Sequence, residues 1–302
     1  MPDAHEHETS ERGRLLVVGT PIGNLGDLSP RAAAALRDAD LVVAEDTRLA
    51  ARLLAHVGAK RPTRSFNAHN AADRLPDLLR RLAAGQTLAL TTDAGMPTVS
   101  DPGAGLVAAA RVAGARVEVV PGPSAVTAAM ALAGVEAGGF LFGGFLPARP
   151  VAARAARLGD LLAAAGSLGL PLVLFESPHR AADLLRRLAD RAPAAAVTAS
   201  REITKLHEQT VAGGPADVLA RIGVPRGEFT VVVGNLPAPA ADDPDGRGLV
   251  TAGRRLGLSE RGIVEILRAA GMARRDAYRL VQQPRSADPD ARIDDRVQEV
   301  DH

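Results

Sequence analysis

Six polar or Gly/Pro-rich segments of this 302-residue chain hold the side chains that could do chemistry. AEDTR sets two carboxylates, Glu45 and Asp46, beside the guanidinium of Arg48. FESPHR adds Glu176, His179 and Arg180, and SREITK adds Arg201, Glu202 and Lys205. Such carboxylates can take up a proton as general bases, and such cations can hold phosphates or a developing negative charge. Each cluster also has a plainer reading. Glu45, Asp46 and Arg48 can be surface ion pairs and His179 a structural residue. Arg201, Glu202 and Lys205 can be a solvated face, with Arg201 and Lys205 adjacent only if that stretch is helical. The remaining segments, GTPIGNLGD, TTDAGMPTVSDPG and PGPSA, have the composition of turns and ligand loops. TTDAGMPTVSDPG, residues 91–103, packs two Asp, two Pro and two Gly into thirteen positions, too much turn chemistry for a strand or a helix. Gly95 lets a chain pass close to a ligand, while Pro97 and Pro102 stiffen it. Ser124 and Ala125 open a helix whose free N–H groups suit a carboxylate or another polar ligand atom, although Ser124 is by default an ordinary N-cap. The plainer reading of Pro21 and Gly23 is that they turn the chain.

These segments follow short apolar runs: Arg14–Gly19, Leu41–Ala44, Thr87–Leu90, Arg116–Val120, Leu172–Phe175 and Val197–Ser200. Such runs read as buried parallel strands, whose C-terminal ends line the ligand crevice of an open sheet. Between them lie helical stretches: one capped by Ser29 ahead of Pro30, then 75–84, 105–113 closed by Gly114, 124–132, 151–165 and one from Pro178. FLFGGFLP, Glu208–Val211 and Phe229–Val233 read as further strands. The alternation predicts an α/β protein with two α/β domains, 13–135 and 136–236, hinged near Gly134–Gly139. A linker at 237–247 leads to a small helical domain, 248–283, with helices at 248–256, 259–270 and 273–282. Residues 1–12 and 284–302 are expected to be disordered.

Composition narrows the classes. With no Cys the chain has neither disulfides nor thiolate metal ligands. No segment resembles a signal peptide or a membrane span, so the expectation is a cytoplasmic protein without membrane contact. The net charge of +1 hides an uneven distribution: residues 247–282 carry eight Arg against three acids, and 284–302 three Arg against six acids. Six Phe, one Tyr and no Trp argue against base stacking as the main mode of any nucleic-acid contact. The first strand leads into GTPIGN and not GxGxxG, which speaks against a nucleotide-binding dehydrogenase.

Taken in order and spacing, GTPIGNLGD, EDTR, DAGMPTVSDPG, PGPSA, GGFLP, FESPHR and REITK resemble the tetrapyrrole-methylase-like family of S-adenosylmethionine methyltransferases. The resemblance covers about residues 13–282 and is strongest to its ribosomal RNA small-subunit methyltransferase I branch. It implies S-adenosylmethionine bound between two α/β domains, with no metal, and methylation of a cytidine 2′-hydroxyl in the decoding region of 16S rRNA. The implied partner is 16S rRNA in the 30S subunit, and the implied assembly a homodimer. By the resemblance, Pro21, Asp93, Ala94, Gly95, Met96, Pro97, Thr98, Val99, Ser124 and Ala125 would hold the cofactor. Met96 replaces a Thr common in the family, at a place where the family fold uses backbone. Glu45, Asp46, Arg48 and Glu176 become the catalytic candidates, with Glu45 and Arg48 foremost. Arg149, Arg154, His179, Arg180, Arg201, Glu202 and Lys205 become the substrate-binding candidates, with the basic helical domain a second RNA handle or else a cap on the body. Two alternatives stay open: methylation of a tetrapyrrole or protein side chain, and an rRNA-binding assembly factor without catalysis.

Overall fold

The computed structural model describes residues 13–99, 103–223, 226–237 and 246–283. The two expected tails, most of the linker and Pro102 lie outside the described residues.

Five parallel strands form the first sheet: β1 (Arg14–Val18), β2 (Leu41–Ala44), β3 (Thr63–Ser65), β4 (Thr87–Leu90) and β5 (Arg116–Val120), in the order β3-β2-β4-β1-β5. Side chains alternate along a strand. Leu15, Val43 and Leu88 therefore pack on one face against α3 (Ala71–Ala83) and α4 (Gly103–Val112). Leu16, Val18 and Val42 pack on the other, against α1 (Pro30–Asp38) and α2 (Thr47–His56). Ser29 caps α1 by accepting the Ala32 N–H at 3.1 Å, ahead of Pro30. β1 and β4 are neighbours, yet the chain after β1 turns toward β2 and the chain after β4 toward β5. Their carboxyl ends thus flank a switch point, where open α/β sheets bind ligands.

The second sheet is mixed. Its strands β6 (Leu141–Phe145), β7 (Leu172–Glu176), β8 (Ala196–Arg201), β9 (Gln209–Gly213) and β10 (Phe229–Gly234) are ordered β6-β7-β10-β8-β9. β6 and β7 are parallel, while β10 runs antiparallel to both β7 and β8. The amino end of β10 consequently sits beside the carboxyl ends of β6, β7 and β8. One face of this sheet is covered by α6 (Val151–Leu168), α7 (Pro178–Arg191) and α8 (Pro215–Arg221), through Leu158, Leu161, Leu184, Leu188 and Val218. The other face takes α5 (Ala125–Ala133), which leaves the first sheet and places Val126 and Ala129 against Val173 and Val232. That contact joins the two halves.

Helices α9 (Arg247–Arg255), α10 (Glu260–Ala269) and α11 (Arg274–Val281) bury Leu249, Ile263, Val264, Leu267 and Val281 around Ala164 of α6. Among the described residues no helix is long and apolar enough to cross a membrane. The structure differs from the sequence expectation at α2, β3 and α8, which the apolar runs did not reveal, and at α3, which starts at Ala71 and continues through Pro76.

Candidate active site

A pocket of about 230 Å³ opens where the carboxyl ends of the first sheet face those of β6, β7 and β8. On the first-sheet side the loops are bolted together by backbone. Thr20 and Gly95 exchange both hydrogen bonds, at 2.8 and 3.2 Å, and the Thr20 hydroxyl reaches the carbonyls of Thr92 and Gly95. Gly95, at φ +85°, adopts a conformation that favours glycine. Its N–H and C=O are thus engaged by Thr20. Gly19 crosses Gly122 so closely that a Cβ on Gly19 would lie 2.5 Å from the Gly122 nitrogen. Asp93 is tied to the preceding loop, its carboxylate accepting the Asp46 N–H at 3.1 Å.

Of the residues expected to hold the cofactor, Asp93, Ala94, Gly95, Met96, Val99, Ser124 and Ala125 line the pocket. Pro21, Pro97 and Thr98 do not: Pro97 is buried in the loop, and Thr98 is exposed with φ +77°. Ser124 occupies the N-cap position of α5 without a side-chain cap bond, so its hydroxyl is not spent on the first-turn N–H groups.

The catalytic candidates separate. Glu45 is exposed and lines the pocket. Asp46 is the N-cap of α2, accepting the Arg48 N–H at 2.8 Å and pairing with the Arg48 guanidinium at 2.6 Å. That side-chain hydrogen bond, helped by the capped N–H, holds the Asp46 carboxyl down at about 2. Asp46 and Arg48 are therefore a cap and its partner beside the pocket, not part of its lining. Glu176 does reach the lining, but it is 1% exposed and its oxygens are occupied. They accept from Arg154 (2.5 Å), Arg180 (2.8 Å) and the Ser177 N–H (2.7 Å). A carboxylate so engaged does not offer an oxygen to a substrate proton, which corrects its placement among the bases.

Arg154 is the second correction. It is 3% exposed, and besides Glu176 it bonds Asp183 at 3.2 Å, so it cannot track an external phosphate backbone. Asp183 is in turn held below the usual carboxylate range, chiefly by its hydrogen bond from Arg187. Arg149 and His179 are exposed, and Arg180 is half-buried on Glu176, all outside the lining. Arg201 ends β8, whereas the chain beyond it forms turns and not a helix, so Arg201 and Lys205 do not share a helical face. Glu202 and Lys205 line the pocket and pair at 3.0 Å. Glu202 (φ +50°) and Thr204 (φ +67°) are non-glycine residues in left-handed conformation. Each such residue costs on the order of 1–3 kcal/mol and persists where its surroundings over-determine it.

Sequence reasoning did not single out Ile22, Thr92, Phe145, Phe175, Ile203, Glu228, Phe229 or Thr230, all of which line the pocket. Phe145 is 56% exposed and lies 5.4 Å, centroid to centroid, from Phe175. An exposed aromatic at a strand end in a chain this poor in aromatics was a readable signal. Glu228 was hidden because it precedes its strand, and only the reversal of β10 brings it to the cleft.

Residues 14–219 match the tetrapyrrole (corrin/porphyrin) methylase family. The chain is 41% identical over 252 residues to ribosomal RNA small subunit methyltransferase I of Xylella fastidiosa (strain Temecula1), spanning 82% of this chain and 88% of the relative. The chain belongs to the ribosomal RNA small subunit methyltransferase I family. A Thermotoga maritima member of that family is 40% identical, over 73% of this chain and 98% of its own length. Solved structures support the family's fold. A uroporphyrin-III C-methyl transferase from Thermus thermophilus complexed with S-adenyl homocysteine is similar with a TM-score of 0.52 and 20% identity, over 74% of this chain and 98% of that one. The methyltransferase CobJ gives 0.56 and 22%, over 74% and 94%. Tetrapyrrole-methylase architecture therefore frames the cleft of this family member.

Proposed function

We propose that the protein methylates 16S rRNA with S-adenosylmethionine as donor, at the 2′-hydroxyl of a cytidine in the decoding region, acting on the 30S subunit. The observation that carries this reading is a two-walled pocket at the carboxyl ends of both sheets, in a chain whose rRNA methyltransferase relatives match across most of their length. The residues present suit the donor. Carboxylates of Glu45, Asp93, Glu202 and Glu228 favour a sulfonium cation, the uncapped start of α5 suits a carboxylate, and Phe145 and Phe175 offer an apolar surface to a ring.

When bound, S-adenosylmethionine supplies a methyl group on a good leaving group, so the protein's task is alignment and management of the hydroxyl proton. In this reading Glu45, which lines the pocket, takes that proton. Arg149 and His179 lie exposed outside the pocket, where RNA would approach. Arg274, Arg275 and Arg279 are exposed on α11 and give a second set of phosphate contacts. The protein is proposed to work in the cytoplasm as a homodimer, an assembly that the solution mass from light scattering would test.

The deciding experiment supplies labelled S-adenosylmethionine with 30S subunits lacking the modification and, in parallel, naked 16S rRNA. Nucleoside analysis then locates the label. The expected product is 2′-O-methylcytidine on 30S. Donor binding without label in either RNA would sink the assignment.

A further inference from the structure

The cleft wall formed by the chain after β8 and before β10 is built around one lysine. Lys205 is the one cationic side chain among the described residues lining the pocket, a lining it shares with the carboxylates of Glu45, Asp93, Glu202 and Glu228. Its Nζ lies 3.0 Å from Glu202 Oε1 and 3.3 Å from Glu228 Oε2. These two arms differ. The Glu202 side chain is 22% exposed, and its Oε1 also accepts the Glu228 N–H at 3.0 Å. Gly227 sits so close that any Cβ there would strike the Glu202 carboxylate. The Glu228 side chain is 79% exposed, and Lys205 is the partner of its carboxylate. The stem of Lys205 is pinned as well, since a Cβ on Gly23, across in the first loop, would collide with it. Burial works against the Lys205 charge, but the bonds to Glu202 and Glu228 outweigh it and raise its affinity for the proton. A lysine held protonated cannot act as a base; it offers N–H donors and positive charge.

We propose that Lys205 stabilises the negative charge developing on the attacking oxygen, with Glu202 as its fixed arm and Glu228 as an exchangeable arm that yields to that oxygen. The inference rests on the rRNA methylation reading. In the step, the hydroxyl O–H bond breaks and its proton passes to a wall carboxylate. An oxygen electron pair forms the bond to the methyl carbon, and the carbon–sulfur bond breaks with its pair left on sulfur. Lys205 keeps its proton throughout. Without it, the surrounding carboxylates would oppose charge on that oxygen.

The test compares Lys205→Met, Lys205→Arg and Glu228→Gln with wild type, measuring kcat and KM on 30S and, by calorimetry, binding of S-adenosylmethionine. Removal of one such donor lowers kcat by about 10²–10³-fold, so Lys205→Met should fall in that range with donor binding within about threefold of wild type. Lys205→Arg should restore at least about tenfold of the loss, because a cation is returned to the same arms. Glu228→Gln should weaken donor binding, because one carboxylate of the sulfonium site is lost, and lower kcat by less than about tenfold, because the fixed arm Glu202 still holds Lys205. A Lys205→Met enzyme with near wild-type kcat overturns the inference, and so does one whose loss is all in donor binding. If Lys205→Met does not fold, absence of activity in the folded Lys205→Arg variant or a hundredfold loss in Glu228→Gln overturns it instead. A wild-type protein that labels no RNA sinks the underlying reading, a result separable from active wild type with an indifferent Lys205.

Discussion

Replacing Arg154 by Met should destabilise the second half of the protein and leave RNA contacts as they are. The guanidinium is 3% exposed, and its principal partner, Glu176, has a side chain with no exposure at all. Breaking a buried pair by removing one member typically costs about 3–5 kcal/mol, because a charge is left in the interior. Here Arg180 and the Ser177 N–H still reach Glu176, and Arg187 still reaches Asp183, so the lower end, about 3 kcal/mol, applies. For a unit of 150–250 residues that corresponds to a fall in Tm of roughly 6–12 °C. With no Trp and one Tyr in the chain, urea unfolding is best followed by far-ultraviolet circular dichroism. Arg149→Gln, on an exposed loop, is the control and should change stability by less than about 0.5 kcal/mol. Neutralising the stranded acid as well, in Arg154→Met/Glu176→Gln, should recover part of the loss. The reasoning fails if Arg154→Met unfolds at the wild-type urea concentration while weakening 16S rRNA binding, for then the guanidinium reaches RNA.

Three further outcomes are expected. Gly19→Ala, which drives a Cβ into the Gly122 backbone, should abolish donor binding or folding, read by calorimetry and circular dichroism, whereas Gly105→Ala on α4, with nothing within 4 Å of a new Cβ, should be neutral or slightly stabilising. Asp46 has its carboxyl lowered to about 2, so its contribution to folding is complete above about pH 4 and is lost as pH falls toward 2. The difference in urea midpoint between wild type and Asp46→Ala should therefore be constant at neutral pH and shrink across that acidic window. Arg274→Gln/Arg275→Gln should reduce the slope of log affinity for 16S rRNA against log salt by about 1.5–2, without altering donor binding.

How much of this was legible in the sequence depended on whether the signal was local. The β-branched runs of β1, β2, β4 and β5 are buried strands whose apolar character does not depend on distant partners. Their loops could be read with them, and Asp93–Met96, Val99, Ser124 and Ala125 do meet in one pocket. EDTR shows where local reading stops. Both its acids and Arg48 were catalytic candidates, yet Asp46 caps a helix that the apolar runs did not reveal and pairs with Arg48, while Glu45, one residue earlier, lines the pocket. Asp46 followed by the amphipathic TRLAARLLAH was the available cue. Arg154 was unreadable for a different reason: its partner Glu176 is 22 residues away and meets it only when α6 docks on β7. The three half-buried residues of β3 carry no apolar pattern, and the mixed order of the second sheet is set by strand pairing at long range.

The crossing of Gly19 over Gly122 divides the evolutionary freedom of the cleft. At that crossing main chain lies against main chain, and every amino acid other than glycine brings an atom into occupied space. Drift can therefore redraw the opposite wall, at Phe145, Phe175 or Ile203, one side chain at a time, while the crossing admits no intermediate. A descendant that acquired a new acceptor would carry its changes at side chains of the lining and keep the crossing as an inherited frame.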